Sequence, residues 1–393
     1  MGARTLAAGL RYSGWHNMFQ MSENDGGRLR TPGGTMSLFF EEAHRHRHLL
    51  RLVEDHFISW GYLPVLTPVI DYFETYRLLL SHKQEEHSYR FPDRGGKLLM
   101  LRSDVTLFLA KQMGLSCGPL PRRVYYADSV IRHQEEEDIA SDELFQSGAE
   151  LIGLSGLDGD LEILMMLYDL LGAMNLRDWR MHIGSRALLD AVLGASIKPA
   201  RARELLEIRD REELEKLFSD AGLNSPRQRT ELLMFLGEAE DFVEYAPGLV
   251  TRFGISKNEG SDAVIKALDH LISLATNLKE LTSNKNIRVD LSVTGDQSYY
   301  SGFTVMVFAE GANTAIASGG RYDNLLGSFG NSAAAAGFSM MMRKIEPLSR
   351  YATGSKMSVS GARGTTFAAR YRDARERRIN GERIVLNTDK TSG

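Results

Sequence analysis

Apolar positions at helical spacing open the interpretable part of the chain, and β-rich segments follow them. Leu49, Leu52 and Val53 lie on one face of a predicted helix that begins after Ser37 and ends at Gly61. The next segment, YLPVLTPVIDY, is rich in β-forming residues. Its two prolines favour the edge of a sheet or an interface, because proline cannot donate to a strand ladder.

Short strands and helices continue this pattern towards residue 184. We predict a strand over 98–101, a helix over 102–113, a hairpin over 124–134 and 144–153, and a helix over 159–173. Ser103 is the expected first residue of the second helix, with Asp104 in its first turn. The two hairpin strands are bridged by the acidic segment EEEDIASDE.

The pattern changes after residue 184. Segments such as ARARELLEIRDREELEKLF have helical periodicity, charged outer faces and little strand signal up to residue 284. Strands over 287–293, 303–308 and 315–320 are then predicted, with a final helix over 337–347. A Gly/Ser-rich linker precedes YRDARERRINGERIVLN, which predicts a basic helix followed by a strand.

Hairpins on both sides of a helical segment favour an α+β fold with a mostly antiparallel sheet. The predicted organisation is a disordered leader over 1–30, a sheet domain over 31–184 and 285–349, an inserted all-α domain over 185–284, and a linker with a small C-terminal α/β lobe over 350–393. Met21 and Met36 are alternative starts to the leader.

Composition narrows the class of protein. Hydrophobic residues make up 43% and charged residues 25%, which is ordinary for a globular protein, and the formal net charge of −4 argues against general polyanion binding. The single cysteine, Cys117, excludes an internal disulfide and a Cys-rich zinc site, and it fits a cytoplasmic location. Since no apolar run approaches about 18 residues, we expect no transmembrane helix and no contact with a membrane. We also expect no metal and no cofactor.

Four separated regions resemble the signatures of one family. They are GYLPVLTPVIDY, LRSDVT, RVYYADSVIRHQ with ELFQSGAELIG, and SYYSG with SGGRYD. Their order and separation resemble the class II aminoacyl-tRNA synthetases, and the last region is similar to the histidyl-tRNA synthetases. The resemblance implies a class II synthetase-like antiparallel sheet flanked by helices, with Pro68 at a dimer interface.

The resemblance also implies a pocket for an amino acid. Asp104 and Thr106 correspond to residues that contact the α-amino group of the substrate, and Glu150, with Tyr299 or Tyr300, corresponds to those that read the imidazole. Gln146 lies on the same strand and the same face as Glu150. Gly319, Gly320 and Arg321 are expected to support this pocket. Close backbone packing explains the two glycines equally well, and a structural ion pair between Arg321 and Asp323 is favoured over contact of Arg321 with a ligand.

The chain departs from the family where catalysis needs positive charge. Gly295 replaces the arginine that precedes the tyrosine pair, and Ser298 replaces the aspartate beside the pair. Lys344 corresponds to the arginine that binds ATP in the third signature. Arg343 lies one residue early, and one residue turns a helical side chain by about 100°.

The acidic loop is a further departure. Arg132 corresponds to the family's α-phosphate ligand, but an ion pair with the loop is an equally good explanation of it. Ala140 occupies the position of another arginine. Six carboxylates of this loop would repel both a triphosphate and an RNA terminus: Glu135, Glu136, Glu137, Asp138, Asp142 and Glu143.

A pocket that keeps its shape and loses its cations resembles the regulatory subunits of ATP phosphoribosyltransferase, relatives of the synthetases without synthetase activity. The resemblance implies a dimer within a hetero-oligomer, a short-form catalytic subunit as partner, histidine as candidate effector, and no nucleic acid. Two alternatives remain open. One is a divergent histidyl-tRNA synthetase or amino-acid ligase, which the retained Arg132 favours, and the other is a histidine-sensing or RNA-binding module.

Overall fold

The computed structural model describes residues 34–35, 37–116, 118–133, 141–252, 261–282, 286–295, 297–351 and 360–386. Several features predicted from the sequence lie outside these ranges. They are the leader over 1–30, most of the Gly/Ser-rich linker, and the acidic-loop residues Glu135, Glu136, Glu137, Asp138 and Ala140.

A nine-stranded sheet forms the centre of the described structure, in the order β1-β5-β6-β12-β11-β10-β7-β9-β8. Six of its eight strand pairings are antiparallel, and the β1–β5 and β7–β9 pairings are parallel. The strands are β1 (Leu63–Pro64), β5 (Arg122–Ile131), β6 (Glu143–Ile152), β7 (Arg180–Ser185), β8 (Leu236–Glu238), β9 (Ile287–Asp290), β10 (Phe303–Phe308), β11 (Ala317–Arg321) and β12 (Ala335–Met341). This mixed, mainly antiparallel sheet confirms the predicted fold class.

Two smaller sheets accompany the large one. β2, β4 and β3 form an antiparallel three-stranded sheet, and β13 and β14 form a parallel pair near the C-terminus. Their bounds are β2 (Ile70–Tyr72), β3 (Arg90–Pro92), β4 (Leu98–Leu101), β13 (Ser360–Gly361) and β14 (Ile384–Val385).

Helices cover the large sheet, and several begin at a capping residue. The Ser185 and Thr366 hydroxyls accept hydrogen bonds from the backbone N–H groups of Leu188 and Ala369. The helices are α1 (Phe40–Ser59), α2 (His82–Glu86), α3 (Val105–Leu115), α4 (Leu157–Ala173), α5 (Arg186–Leu193), α6 (Pro199–Glu207), α7 (Arg211–Asp220), α8 (Pro226–Leu233), α9 (Ala239–Arg252), α10 (Ser261–Leu281), α11 (Met342–Ile345) and α12 (Phe367–Ile379).

The hydrophobic core is continuous from the sheet into the helical segment 186–281. Phe57 of α1, Leu167 of α4, Val305 of β10 and Leu274 of α10 are all buried in one cluster. The burial of this apolar surface is the main driving force that holds the helices against the sheet. In the part of the chain that the structure describes, no helix is long and apolar enough to cross a membrane.

Three predictions about elements were wrong. The segment predicted as a helix over 337–347 is mostly β12, which pairs with β6 and β11, and only Met342–Ile345 is helical. Strand β8 interrupts the predicted all-α segment and pairs with β9. Asp104 precedes α3 as its capping residue and does not lie in its first turn.

Candidate functional site

The candidate site lies where the start of α3 meets β6 and β12. Asp104 caps α3, and its carboxylate accepts a hydrogen bond from Leu107 N–H at 3.0 Å. Thr106, two residues further on, donates from its hydroxyl to Glu150 Oε1 of β6 at 2.6 Å. The cap therefore fixes the direction of α3 and places both polar side chains over the sheet.

Glu150 is a fully buried acid of this site. Its side chain is 1% exposed, and its second oxygen accepts a hydrogen bond from the Tyr322 hydroxyl at 2.5 Å. Burial raises the pKa of Glu150 to about 8, although the hydrogen bonds from Thr106 and Tyr322 favour the ionised form. Such a carboxyl group can accept further hydrogen bonds through its remaining lone pairs and interact with positive charge.

Gly337 makes the space that Glu150 occupies. The two residues are opposite each other in the β6–β12 register, and a Cβ atom on Gly337 would lie 1.6 Å from Glu150 Oε2. The carboxylate therefore lies directly against the backbone of β12. Gly319 and Gly320 of β11 also lie close to their neighbours, since added Cβ atoms would lie 2.4 Å from Gly337 O and 2.6 Å from Phe303 O.

Three tyrosines form the aromatic wall of the site. The Tyr299 ring makes edge contacts with Tyr300 and Tyr322, with centroids 5.3 Å and 5.7 Å away. The Tyr299 hydroxyl donates to Asp104 at 3.3 Å, whereas it is Tyr322 that donates to Glu150. The structure thus brings the predicted tyrosine pair to the site but gives the bond with Glu150 to a different tyrosine.

Asp104 is the second buried acid. Burial raises its pKa, and the hydrogen bond from Leu107 N–H and the positive charge of Arg132 offset only part of that effect. Arg132 itself does not line the cavity, and its backbone N–H donates to Asp142 O at 3.0 Å. Gln146 is buried behind the site, where its side-chain oxygen accepts a long hydrogen bond of 3.4 Å from Val105 N–H.

The position of the missing arginine is closed by a neighbouring ring. Gly295 has a φ of +77°, a conformation that residues with a side chain rarely adopt. A Cβ atom there would lie 2.4 Å from Tyr300 Cδ2 and 3.1 Å from Thr304 Cγ2. Both the backbone and the packing therefore select glycine at this point.

The cations predicted near an ATP site are bound elsewhere. Lys344 is buried, and its Nζ donates to Thr314 Oγ1 at 2.5 Å. Arg343 donates to Glu346 Oε2 at 3.0 Å. These contacts stabilise the packing of α11.

Arg321 connects the site to the helical segment. Its guanidinium binds the fully buried Asp160 of α4 and also Asp323, at 2.9 Å. The other Asp160 oxygen lies 2.7 Å from His270 Nε2, and His270 belongs to α10. Arg321 is thus a structural ion-pair partner that faces away from the cavity.

The enclosed cavity is small, about 10 Å³, which is room for little more than one water molecule. Its lining offers two carboxylates, several hydroxyls, one amide and aromatic faces: Asp104, Thr106, Glu150, Gln297, Tyr299, Tyr300, Ser318, Tyr322, Gly337, Phe338 and Ser339. Such a lining can accept hydrogen bonds from a ligand and stabilise positive charge. None of these lining residues supplies the positive charge that a phosphate or a carboxylate requires.

Sequence reasoning missed Tyr322 and Gln297. Tyr322 lies within the SGGRYD string, and its place in that family-like motif could have indicated that it belongs to the pocket. Gln297 is buried, and its side-chain oxygen accepts a hydrogen bond from Gln84 Nε2 at 2.6 Å. Nothing in the local sequence pattern indicates that Gln84, over 200 residues away, holds it.

Pro68 is exposed, in the segment between β1 and β2. Large apolar side chains near it in the sequence are exposed as well, among them Leu66, which is 84% exposed. Others on β1, β2 and the following segments are exposed to a lesser degree: Leu63, Val69, Ile70 and Tyr72. Several exposed large apolar side chains in one short segment are typical of a protein–protein interface.

Comparisons with known proteins identify the fold as that of the histidyl-tRNA synthetases. A family model described as histidyl-tRNA synthetase matches residues 34–345. A solved structure from Bacillus halodurans, described as an ATP phosphoribosyltransferase regulatory subunit/histidyl-tRNA synthetase, superposes with a TM-score of 0.77 at 22% identity, covering 93% of this chain and 94% of that one. A histidyl-tRNA synthetase from Nostoc sp. gives 0.75 at 18% identity, covering 93% and 87%. These structures show the class II histidyl-tRNA synthetase fold.

Two curated relatives narrow the class. The ATP phosphoribosyltransferase regulatory subunit of Moorella thermoacetica is 30% identical over 93% of this chain and 93% of its own length. That of Symbiobacterium thermophilum is 31% identical over 81% of this chain and 79% of its own length. The chain belongs to the family of ATP phosphoribosyltransferase regulatory subunits, and its own fold is that of the histidyl-tRNA synthetases.

Proposed function

We propose that this chain is a non-catalytic regulatory subunit of ATP phosphoribosyltransferase, required for the first step of histidine biosynthesis. The observation that carries the proposal is the contrast within one pocket. The acids Asp104 and Glu150 are kept and buried, whereas Gly295 is locked under Tyr300 at the position of the catalytic arginine. The names of the curated relatives support the same function.

The chemistry of the transferase belongs, in this proposal, to a separate short-form catalytic subunit. Arginines that stabilise phosphoryl-transfer transition states are worth about 10³-fold or more in rate. The cavity lining holds no such group, since Lys344 and Arg343 are engaged with Thr314 and Glu346. The lining is therefore not expected to support formation of an aminoacyl adenylate, and in this proposal the chain activates its partner by binding it.

Feedback by histidine is the second part of the proposal, with the pocket as the effector site. A coupling free energy of about 1–3 kcal/mol between effector and partner is enough for regulation. Such coupling requires the effector to bind the inhibited assembly more tightly than the active one. Arg321 offers a connection, because it joins the strand beside Tyr322 to Asp160 and, through it, to His270 of α10.

Self-association is expected through the apolar surface around Pro68. Removing side chains such as Leu66 from water contributes roughly 25 cal/mol per Å² of buried apolar area. Light scattering of the purified chain is expected to give a dimer, and Leu66→Glu is expected to give a monomer. The matched control is Ile208→Glu, which alters an apolar side chain that is 71% exposed on the helical segment. A wild-type monomer would contradict this part of the proposal.

The alternative of a divergent synthetase makes an opposite prediction. Histidine-dependent exchange of pyrophosphate into ATP is expected to be absent with this chain. A short-form transferase subunit mixed with the chain is expected to gain phosphoribosyl-ATP formation. Exchange activity without activation of the transferase would favour the synthetase.

A further inference from the structure

Basic side chains from α1 and from the C-terminal lobe, which consists of β13, α12 and β14, meet outside the candidate site. His44, His48 and Arg51 lie three or four residues apart along α1, so they form one stripe on its surface. The His44 and His48 rings stack almost in parallel, with centroids 6.0 Å apart. Arg383, between α12 and β14, is close enough for its positive charge to act on His44. These four residues form a basic cluster from two parts of the chain that are distant in sequence.

Tyr351 fixes the orientation of this basic cluster. Its ring stacks on the His48 ring, with centroids 4.5 Å apart and an angle of 4° between the two planes. The rings of Tyr351, His48 and His44 thus form a continuous stack. Side chains that are already held in place lose less conformational freedom when they bind a ligand. The imidazoles of the basic cluster are therefore arranged before a ligand binds.

The electrostatics of the basic cluster favour an anion. Burial and the positive charges of Arg383, His48 and Arg51 lower the pKa of His44, whereas the negative charge of Glu41 opposes them. An anion among these groups would reverse that effect, because it stabilises each positive charge. Arg51 and Arg383 are exposed, so an anion can reach them from solvent.

The C-terminal lobe has the opposite charge to the rest of the chain. Residues 360–386 hold seven arginines and three acids, which is a net charge of +4, whereas the whole chain carries −4. Two of the three acids, Asp373 and Glu382, are bound to Arg377. The excess of positive charge is therefore a property of the lobe, and Arg383 brings part of it against α1.

The density of positive charge distinguishes between classes of anion. A carboxylate carries one negative charge, whereas a phosphate ester carries about 1.5 to 2 charges and three acceptor oxygens. Arginine and protonated histidine offer N–H donors that fit such oxygens. Several cations within one cluster therefore match a ligand with more than one phosphate group better than a single carboxylate.

We propose that the basic cluster binds a small molecule that carries two or more phosphate groups. Arg51 and Arg383 neutralise the ligand from α1 and from the lobe. The imidazoles of His44 and His48 donate to its oxygens when they are protonated. This inference goes beyond the proposed function, because it concerns a different surface and does not require transferase activity.

Inorganic tripolyphosphate is the probe, because it offers phosphate groups without a base or a sugar. Isothermal titration calorimetry of the full chain, without divalent metal ions, measures its dissociation constant at pH 6 and pH 8. The double variant His44→Gln, His48→Gln is expected to bind at least about threefold more weakly than the wild type at pH 6 and equally at pH 8, because imidazoles are largely neutral at pH 8. The titration of the probe itself is the same for both proteins, so it cancels in this comparison.

Substitutions of arginine test the two sides of the basic cluster. Arg383→Gln and Arg51→Gln are each expected to weaken binding about threefold at both pH values. Arg227→Gln is the matched control, because it removes an exposed cation from α8, and it is expected to leave the dissociation constant unchanged. Identical dissociation constants for the wild type and all cluster variants, or no binding of tripolyphosphate to the wild type, would overturn the proposal.

Competition identifies the source of the phosphate groups. ATP is expected to displace tripolyphosphate, whereas adenosine is not, because the recognition is assigned to the phosphates. An RNA oligonucleotide that binds through Arg372 and Arg375 of α12, with no binding of tripolyphosphate, would assign the basic surface to nucleic acid and overturn the proposal. Transferase activation without tripolyphosphate binding would keep the proposed function and reject this inference, and the reverse result would do the opposite.

Discussion

Replacing Glu150 by glutamine tests the buried carboxyl group of the pocket through the pH dependence of the free energy of unfolding. The substitution keeps the shape of the side chain and removes its charge. Burial raises the pKa of Glu150 from the ordinary value of 4.5 to about 8 in the folded chain. Between these two values the folded state holds a proton that the unfolded state has released. The free energy of unfolding of the wild type therefore falls as pH rises through this window.

The size of this effect follows from linkage. Moving a pKa from 4.5 to about 8 is worth about 4–5 kcal/mol in full, at about 1.36 kcal/mol for each pKa unit. About 3 kcal/mol of this loss falls between pH 5 and pH 8. Glutamine does not titrate, so the stability of the Glu150→Gln variant does not fall in this way as pH rises.

Urea unfolding followed by circular dichroism at pH 5, 6, 7 and 8 measures the prediction. The free energy of unfolding of Glu150→Gln, taken relative to the wild type, is expected to rise by about 3 kcal/mol from pH 5 to pH 8. Parallel curves for the two proteins would refute the reasoning, because they would mean that Glu150 is ionised throughout.

Glu162 supplies a control with the opposite sign. Burial alone would raise its pKa, but hydrogen bonds from Arg123 and Tyr62 outweigh burial and hold the pKa below its ordinary value. A carboxyl group of this kind stabilises the folded chain above its unfolded pKa and loses that contribution only in acid. Glu162→Gln is therefore expected to lower stability by a constant amount between pH 5 and pH 8.

Three further substitutions test the site, and a fourth, Gly172→Ala, is the control for the first of them. Gly337→Ala is expected to lower the free energy of unfolding by about 1–3 kcal/mol, because its methyl group would overlap the Glu150 carboxylate. Gly172→Ala, which has open space around it in α4, is expected to stabilise the chain by up to about 1 kcal/mol. Equal melting temperatures of the two variants would contradict both expectations. Tyr322→Phe removes a hydrogen bond that favours ionised Glu150, so the pKa of Glu150, followed by carbon-13 NMR, is expected to rise above that of the wild type and not to fall. Gly295→Arg is expected to destabilise the chain by more than about 1 kcal/mol in urea unfolding and to produce no pyrophosphate exchange; a stable variant with exchange activity would show that the missing charge alone prevents catalysis.

The sequence predicts those elements that depend on local pattern. The spacing of Leu49, Leu52 and Val53 predicts α1, and the boundaries of β10 agree with the prediction to the residue. The segment around Met340 fails, because a short apolar run is compatible with a buried helix and with a central strand. Its pairing with β6 and β11, which are distant in sequence, decides in favour of the strand.

The residues of the site also divide into those that the local sequence predicts and those that only the tertiary structure brings together. The spacing of Gln146 and Glu150 places both on one face of β6, and both are buried. The partner of Glu150 is Tyr322, since the β11–β12 register brings that residue over the pocket. Asp160 gives no signal in its sequence context, and only the packing of α4 against Arg321 and His270 shows its role.

The chain is expected to activate a separate transferase subunit and to have no transferase activity of its own. The direct measurement is a titration of the purified chain into a short-form catalytic subunit, with phosphoribosyl-ATP followed from ATP and phosphoribosyl pyrophosphate. We predict no product from either protein alone, and a rate that rises and saturates at a fixed ratio of the two. A catalytic subunit whose rate does not change when the folded chain is added in excess would contradict the account.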